Sequence, residues 1–152
     1  MWYGMASMED IEQLKAVRIA YINSDQGEIS EKDSALMIHN LTIYFAKHLQ
    51  KDLVAFVAKE DDRIVSTAFL LIIEKPSNPR FINGKIGEVL NVYTEEAYRR
   101  QGVAKQLMKM LISFSKEKEL DYIELKATRD GSLLYKSLGF TEQISPYIPM
   151  RY

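Results

Sequence analysis

The sequence predicts a mixed α/β (α+β) domain, a central sheet of about six to seven strands flanked by about four helices. Two runs dense in β-branched and aromatic residues, LVAFVA and IVSTAFLLII, are separated by a short polar run holding EDDR, the pattern of an antiparallel hairpin. Other stretches, before that hairpin and again from Val103, repeat apolar residues at helical spacing. Strand-like and helix-like segments then alternate through the second half, a layout that packs helices on a mixed sheet.

Taken in order, WYGMA is a short first strand. Ser7 with Asp10 three residues on is a helix-start pattern, and Ile11, Leu14, Val17 and Tyr21 recur near helical spacing, so a first helix spans about Met8 to Ile22. After the acidic loop NSDQGE, Ser30 and Asp33 repeat the cap ahead of Leu36, Leu41, Tyr44, Phe45 and His48, a second helix ending near Gln50. The hairpin follows. EKPSNPRFING, with two prolines and Asn83-Gly84, is a surface loop, and KIGEVLNVYT returns to a strand. Val103, Leu107, Met110, Leu111 and Phe114 make the apolar stripe of a third helix. YIELKAT is a further strand with Ile123, Leu125 and Ala127 on one face, and SLLYKSL is a short helix stopped by Gly139. FTEQI and YIPMRY, divided at Ser145-Pro146, close the chain as strands.

At 152 residues the chain fits one domain, residues 1–152, with enough length for a real core. Hydrophobic residues at 47%, charged residues at 27% and a net charge of -1 describe a globular chain and argue against a nucleic-acid binder. No cysteine is present, which removes disulfides, thiolate zinc sites and a cysteine nucleophile together. No basic head with an apolar signal core precedes MEDIEQL, and no run approaches the roughly 20 apolar residues that span a bilayer. A cytoplasmic location is therefore expected, with Met1, Met5 and Met8 all candidate starts. His39 and His48 lie nine residues apart, on opposite faces of one helix, so they cannot share a metal there.

The stretch YRRQGVA, Tyr98 to Ala104, concentrates positive charge and a glycine where the third helix begins. The first N–H groups of a helix lack internal acceptors, and with the helix dipole they form a seat for a phosphate or diphosphate. Arg99, Arg100, Lys105 and Lys109 add charge around it. Neither GxxxxGK[ST] nor GxGxxG occurs, so the common nucleotide-binding loops do not explain the turn.

This segment resembles motif A of the GNAT N-acetyltransferases, Q/R-x-x-G-x-G/A, with Arg99, Gly102 and Ala104 at its three specified positions. About thirty residues later DGSLLYKSLGF is similar to the family's second hallmark, a short helix carrying Leu-Tyr and ending in Gly-Phe. The resemblance implies the GNAT fold, its sheet splayed between the fourth and fifth strands, and acetyl-coenzyme A as cosubstrate with no metal. It places the diphosphate on the amides of Arg100, Gln101, Gly102, Val103, Ala104 and Lys105, and the pantetheine arm between LNVYT and YIELKAT. Val92 and Tyr93, with Asn91 beside them, would offer main-chain contacts there. Tyr135 matches the family's general acid beside the sulfur, and Glu88 the base glutamate of the histone-type branch. Thr128 stands where many relatives carry a cofactor-binding asparagine, and Gly131 where an alanine is frequent.

The chemistry implied is acetyl transfer to a primary amine. An amine with a pKa of about 10.4 is mostly protonated at neutral pH, so a base is required. Glu88 is one candidate and a water chain the other. The acceptor is a small-molecule or peptide amine. Asp25, Glu28 and Glu31 would attract its charge, and Tyr21, Tyr44, Tyr147 and Tyr152 would line its pocket. No nucleic-acid or membrane partner is expected, and a homodimer is left open. The rival readings are a non-catalytic acyl-coenzyme A sensor and a transferase of a longer acyl group.

Overall fold

A computed structural model describes all residues 1–152. The chain opens with β1 (Trp2–Met5) and a 3-10 turn at Met8–Asp10, followed by α1 (Ile11–Gln26) and α2 (Glu31–His48). β2 (Leu53–Glu60), β3 (Arg63–Glu74) and β4 (Lys85–Thr94) form the middle of the sheet. α3 (Val103–Glu117), β5 (Ile123–Glu124) and α4 (Ser132–Ser137) complete the regular structure. Sheet order is β1-β2-β3-β4-β5, antiparallel except for the parallel β4–β5 pair.

Local chemistry explains the well-defined boundaries. Ser7 and Asp10 form the reciprocal capping box: the Ser7 N–H donates to Asp10 Oδ2 at 2.9 Å, and the Glu9 N–H to Ser7 Oγ at 3.3 Å. The Asp33 N–H donates to Ser30 Oγ at 3.1 Å, capping α2. α1 runs four residues past the expected Ile22 and stops at Gly27, whose φ of 88° few side chains tolerate. The β2–β3 turn is Asp61-Asp62, both at positive φ (48° and 63°), the handedness that tight hairpins require and that aspartate accepts.

Alternation along the strands builds two cores. Val54, Phe56, Val65, Ala68, Leu70 and Val89 face α3, where Val103, Leu107, Met108 and Leu111 are buried. Leu53, Ala55, Val57, Ile64 and Phe69 face α1 and α2, meeting Leu14, Val17 and Phe45. The buried Asp10 carboxylate pairs with Lys59 at 2.7 Å and ties the start of α1 to β2. No helix is long and apolar enough to cross a membrane.

The sheet has five strands, not six to seven. YIELKAT contributes only Ile123 and Glu124, and neither FTEQI nor YIPMRY is a strand. A strand exists only where another offers its edge, and residues 141–152 make no backbone–backbone hydrogen bond. The splay is present. β4 pairs with β5 at Gly87↔Ile123 and Glu88↔Glu124, and from Val89 to Thr94 that edge has no partner. A Cβ on Gly87 would fall 2.6 Å from a Leu70 methyl and 2.8 Å from an Ile123 methyl, so glycine lets β5 approach at the paired end without displacing those side chains.

Candidate active site

The unpaired edge of β4 begins with a bulge. Phe69 opposes Leu90 and Thr67 opposes Tyr93, so Ala68 faces two residues, Asn91 and Val92. Asn91 is buried and left-handed at φ 52°, a conformation asparagine accepts more readily than most side chains. Its amide donates to Thr67 Oγ1 at 3.0 Å, the Thr67 hydroxyl donates to the Asn91 carbonyl at 2.8 Å, and Arg18 Nη1 donates to Asn91 Oδ1 at 3.2 Å. The bulge is therefore held from both sides, by β3 and by α1. Asn91→Ala should cost roughly 1–3 kcal/mol by leaving those partners unsatisfied, read as a lower urea midpoint. Asn91→Gly, which removes the backbone strain but restores no hydrogen bond, should recover only part of the loss.

After β4 a second 3-10 turn, Glu96–Tyr98, leads to Arg100 at φ 59° and Gly102 at φ 78°. Arg99 turns back, its Nε donating to the Thr94 carbonyl at 2.9 Å and its guanidinium 5.9 Å from the Tyr93 ring. Gln101 likewise donates to the Ala97 carbonyl at 2.9 Å. These two side chains brace the turn, while Arg100 and Lys105 stay exposed. Val103 is buried as the first core residue of α3, so it offers the turn only its main chain. None of the main-chain N–H groups from Arg100 to Lys105 finds an acceptor in the protein, since the first helical bond is Gln106 N–H to Gly102 O at 3.0 Å. Six free donors on a left-handed turn at a helix start form an anion-binding nest, and a Cβ on Gly102 would meet nothing within 4 Å. The residues present therefore fit a diphosphate.

Tyr135 packs with Leu138 and Phe140 against the α3-side core, its ring edge-on to Phe140 at 5.9 Å. Burial, aided by nearby Tyr21 on α1, pushes its hydroxyl up to about 12. Tyr21 is edge-on to Tyr93 at 6.5 Å and has the Arg18 guanidinium 5.7 Å from its ring. Burial, then the charge of Asp25, raises its hydroxyl as well, with Arg18 opposing.

Glu88 is the last residue of β4 to pair with β5, half-buried, two residues from Leu90, which packs on the α1/α2 side. Its carboxylate enters no ion pair and accepts no hydrogen bond, so the pairing with a lysine that strand-end carboxylates often adopt does not occur. It is near enough to Tyr44 to help raise that phenol, after burial and Asp52. Thr128 Oγ1 accepts the Gly131 N–H at 3.1 Å, which leaves its own proton free to donate.

The acceptor expectations divide. Tyr21 and Tyr44 are half-buried beside β4, but Tyr147 and Tyr152 are exposed on the C-terminal segment. Asp25, Glu28 and Glu31 lie around the α1–α2 turn, where Glu28 and Asp33 border a cleft of about 410 Å³. His48 pairs with Asp52 at 2.7 Å and stacks on Tyr44, while His39 is exposed. A larger cleft of about 810 Å³, bordered by Asp52, Glu74, Lys85 and Lys118, lies at the opposite end of β4 from the Arg100 turn. The sequence reading missed Arg18. Its one signal was a cation set among Leu14, Val17 and Tyr21 on the apolar side of a helix.

Residues 51–142 match the family model of the acetyltransferase (GNAT) domain. The chain belongs to the GNAT acetyltransferase family. The structure superposes on that of a predicted acetyltransferase from Clostridium acetobutylicum, solved with acetyl-CoA, with a TM-score of 0.86 and 29% identity over 99% of this chain and 95% of that one. A GCN5-related N-acetyltransferase from Ralstonia eutropha gives 0.79 and 21% identity over 98% and 97% of the two chains. A ribosomal-protein-alanine N-acetyltransferase from Brucella melitensis gives 0.71 and 20% identity over the full length of both, a likeness of fold. Curated protein sequences give no significant match. The Arg100 nest and the short helix carrying Tyr135 both lie within the matched residues.

Proposed function

We propose that this GNAT protein transfers an acetyl group from acetyl-coenzyme A to a primary amine, by direct attack of the amine and without an acyl-enzyme. The observation that carries this reading is the unpaired β4 edge from Val89 to Thr94, leading directly into six acceptor-free N–H groups. An extended thioester carrier with a diphosphate needs both features, and the acetyl-CoA bound by the Clostridium acetobutylicum protein supports that choice of ligand. The nest, with Arg100 and Lys105, would hold the diphosphate. The β4 edge, including Val92 and Tyr93, would hydrogen-bond the arm as an added strand does. The thioester supplies the activated acetyl group.

The chain's own residues handle the protons. Glu88, unpaired, takes the proton that an ammonium acceptor must lose before its nitrogen is nucleophilic. Tyr135, protonated throughout the neutral range, donates to the departing thiolate. Tyr21 and Tyr44, both half-buried beside β4, would line the side from which the amine approaches.

Thiol release on a panel of amines tests turnover, and calorimetry with coenzyme A tests binding. Turnover of acetyl-coenzyme A that depends on added amine is the expected result. Tight binding with no turnover on any amine would instead favour the sensor, and faster turnover of longer acyl thioesters the broader transferase. Glu88→Gln should lower kcat about 100-fold or more with coenzyme A affinity retained. An unchanged rate would hand the role of base to a water chain.

A further inference from the structure

Arg18 is a half-buried cation with no counter-ion. It shares the stripe of α1 that carries Leu14, Val17 and Tyr21, so the helix turns it toward the sheet. One of its five N–H donors goes to Asn91 Oδ1 at 3.2 Å, and its guanidinium lies 5.7 Å from the Tyr21 ring. No carboxylate of the chain pairs with it, since every ion pair in the protein is made by another cation. Charges withdrawn from water are usually paired, and the planar fork of an arginine is shaped for a carboxylate.

The bulge in β4 decides which side of the sheet this cation serves. Glu88 and Leu90 alternate onto the α1/α2 side, and the extra residue at Asn91-Val92 returns Asn91 and Tyr93 to that same side, where they meet Arg18 and Tyr21. Two unpaired opposite charges, Glu88 and Arg18, therefore flank one stretch of β4 without pairing with each other. Both reach the Tyr44 hydroxyl, Glu88 raising its pKa and Arg18 lowering it. Asp25 opposes Arg18 in the same way at the Tyr21 hydroxyl, again with no ion pair between them.

We propose that Arg18 is a specificity-determining residue that binds a carboxylate carried by the acceptor, so that the amine acetylated is that of an amino acid. The inference rests on the acetyl transfer proposed above and narrows its substrate. A zwitterion matches what the chain leaves unpaired: its ammonium faces Glu88, which takes the proton, and its carboxylate faces the donors of Arg18 that Asn91 does not use. The spacing suits a small molecule. Three residues of strand separate Glu88 from Asn91 by about 10 Å, and hydrogen bonds of about 3 Å at either end leave room for two groups a few bonds apart, as in an α- or β-amino acid. Tyr21 and Tyr44 would flank its side chain.

Paired acceptors test this on the full-length protein. Each of a panel of amino acids is compared with its own α-amide, which keeps the amine and side chain but lacks the carboxylate, and kcat/KM is measured for both. The wild type should turn over the acids. In Arg18→Gln the ratio of acid to amide should fall about 10- to 100-fold, chiefly through a higher KM for the acid. Arg18→Lys, which keeps the charge but loses the fork, should retain part of the preference. The ratio separates recognition from support of the bulge, because a loss of fold or of the Asn91 contact lowers both rates together, and it cancels the difference in basicity between the two amines. An unchanged ratio in Arg18→Gln overturns the proposal, as does a wild type that acetylates amides or simple amines but no amino acid; either result leaves acetyl transfer standing. No turnover of any amine would instead overturn the acetyl-transfer reading itself, and this narrowing with it.

Discussion

Gly102→Val is expected to abolish coenzyme A binding while leaving the fold intact. Gly102 sits at φ 78°, where an L side chain costs roughly 1–2 kcal/mol and a β-branched one more. The protein itself would not clash, because the space beside this Cα is open for 4 Å. That space opens beside the turn whose N–H groups would hold the diphosphate, so a valine side chain there would crowd the ligand. Relaxing the strain would rotate the neighbouring N–H groups away from their common focus. Both effects act on the ligand, and together they should weaken binding at least about 100-fold, or 2.7 kcal/mol. Calorimetry with coenzyme A reads the loss, and thermal unfolding should move by only a few degrees. Undiminished affinity would show that the diphosphate does not sit on this turn.

The same turn illustrates what a single sequence discloses. YRRQGVA was legible because its physics is local: a glycine for the left-handed turn, arginines around it, and a helix start whose first donors have no acceptor. The caps at Ser7 and Ser30 were legible for the same reason, each being settled within three residues. Even there the roles of individual side chains shifted. Arg99 and Gln101 bond carbonyls of the preceding turn rather than reaching outward.

What the sequence concealed depends on distant partners. YIELKAT has strand composition throughout, but its pairing with β4 stops after Glu88, and only Ile123 and Glu124 find a neighbour. FTEQI and YIPMRY are strand-like and pair with nothing in their own chain. Composition says that a segment fits a sheet; it does not say whether an edge is open to it. The bulge at Asn91 was hidden because LNVYT reads as uninterrupted strand, and only the network of Thr67 and Arg18 marks the position. Arg18 was missed with it, since nothing within α1 indicates that its guanidinium reaches a residue 73 positions away.

Tyr135→Phe is expected to lower kcat by about 100- to 10,000-fold, the range that general acid catalysis contributes, with coenzyme A affinity almost unchanged. The phenyl ring keeps the packing against Leu138 and Phe140, so stability should hold, and only the proton donor is lost. The pH dependence separates this role from a structural one. A phenol normally ionises near 10; burial moves Tyr135 to about 12, so its proton is retained in the folded protein while an unfolded chain would release it. The stability it contributes is complete below pH 10 and is lost as pH rises through 12. Tyr135 therefore generates no alkaline limb in kcat between pH 7 and 10, and its removal should lower the profile over that range without changing its shape. A rate equal to the wild type would remove Tyr135 from the chemistry. A profile whose alkaline side moved with the substitution would mean that the phenol titrates in the working range and that burial does not protect it.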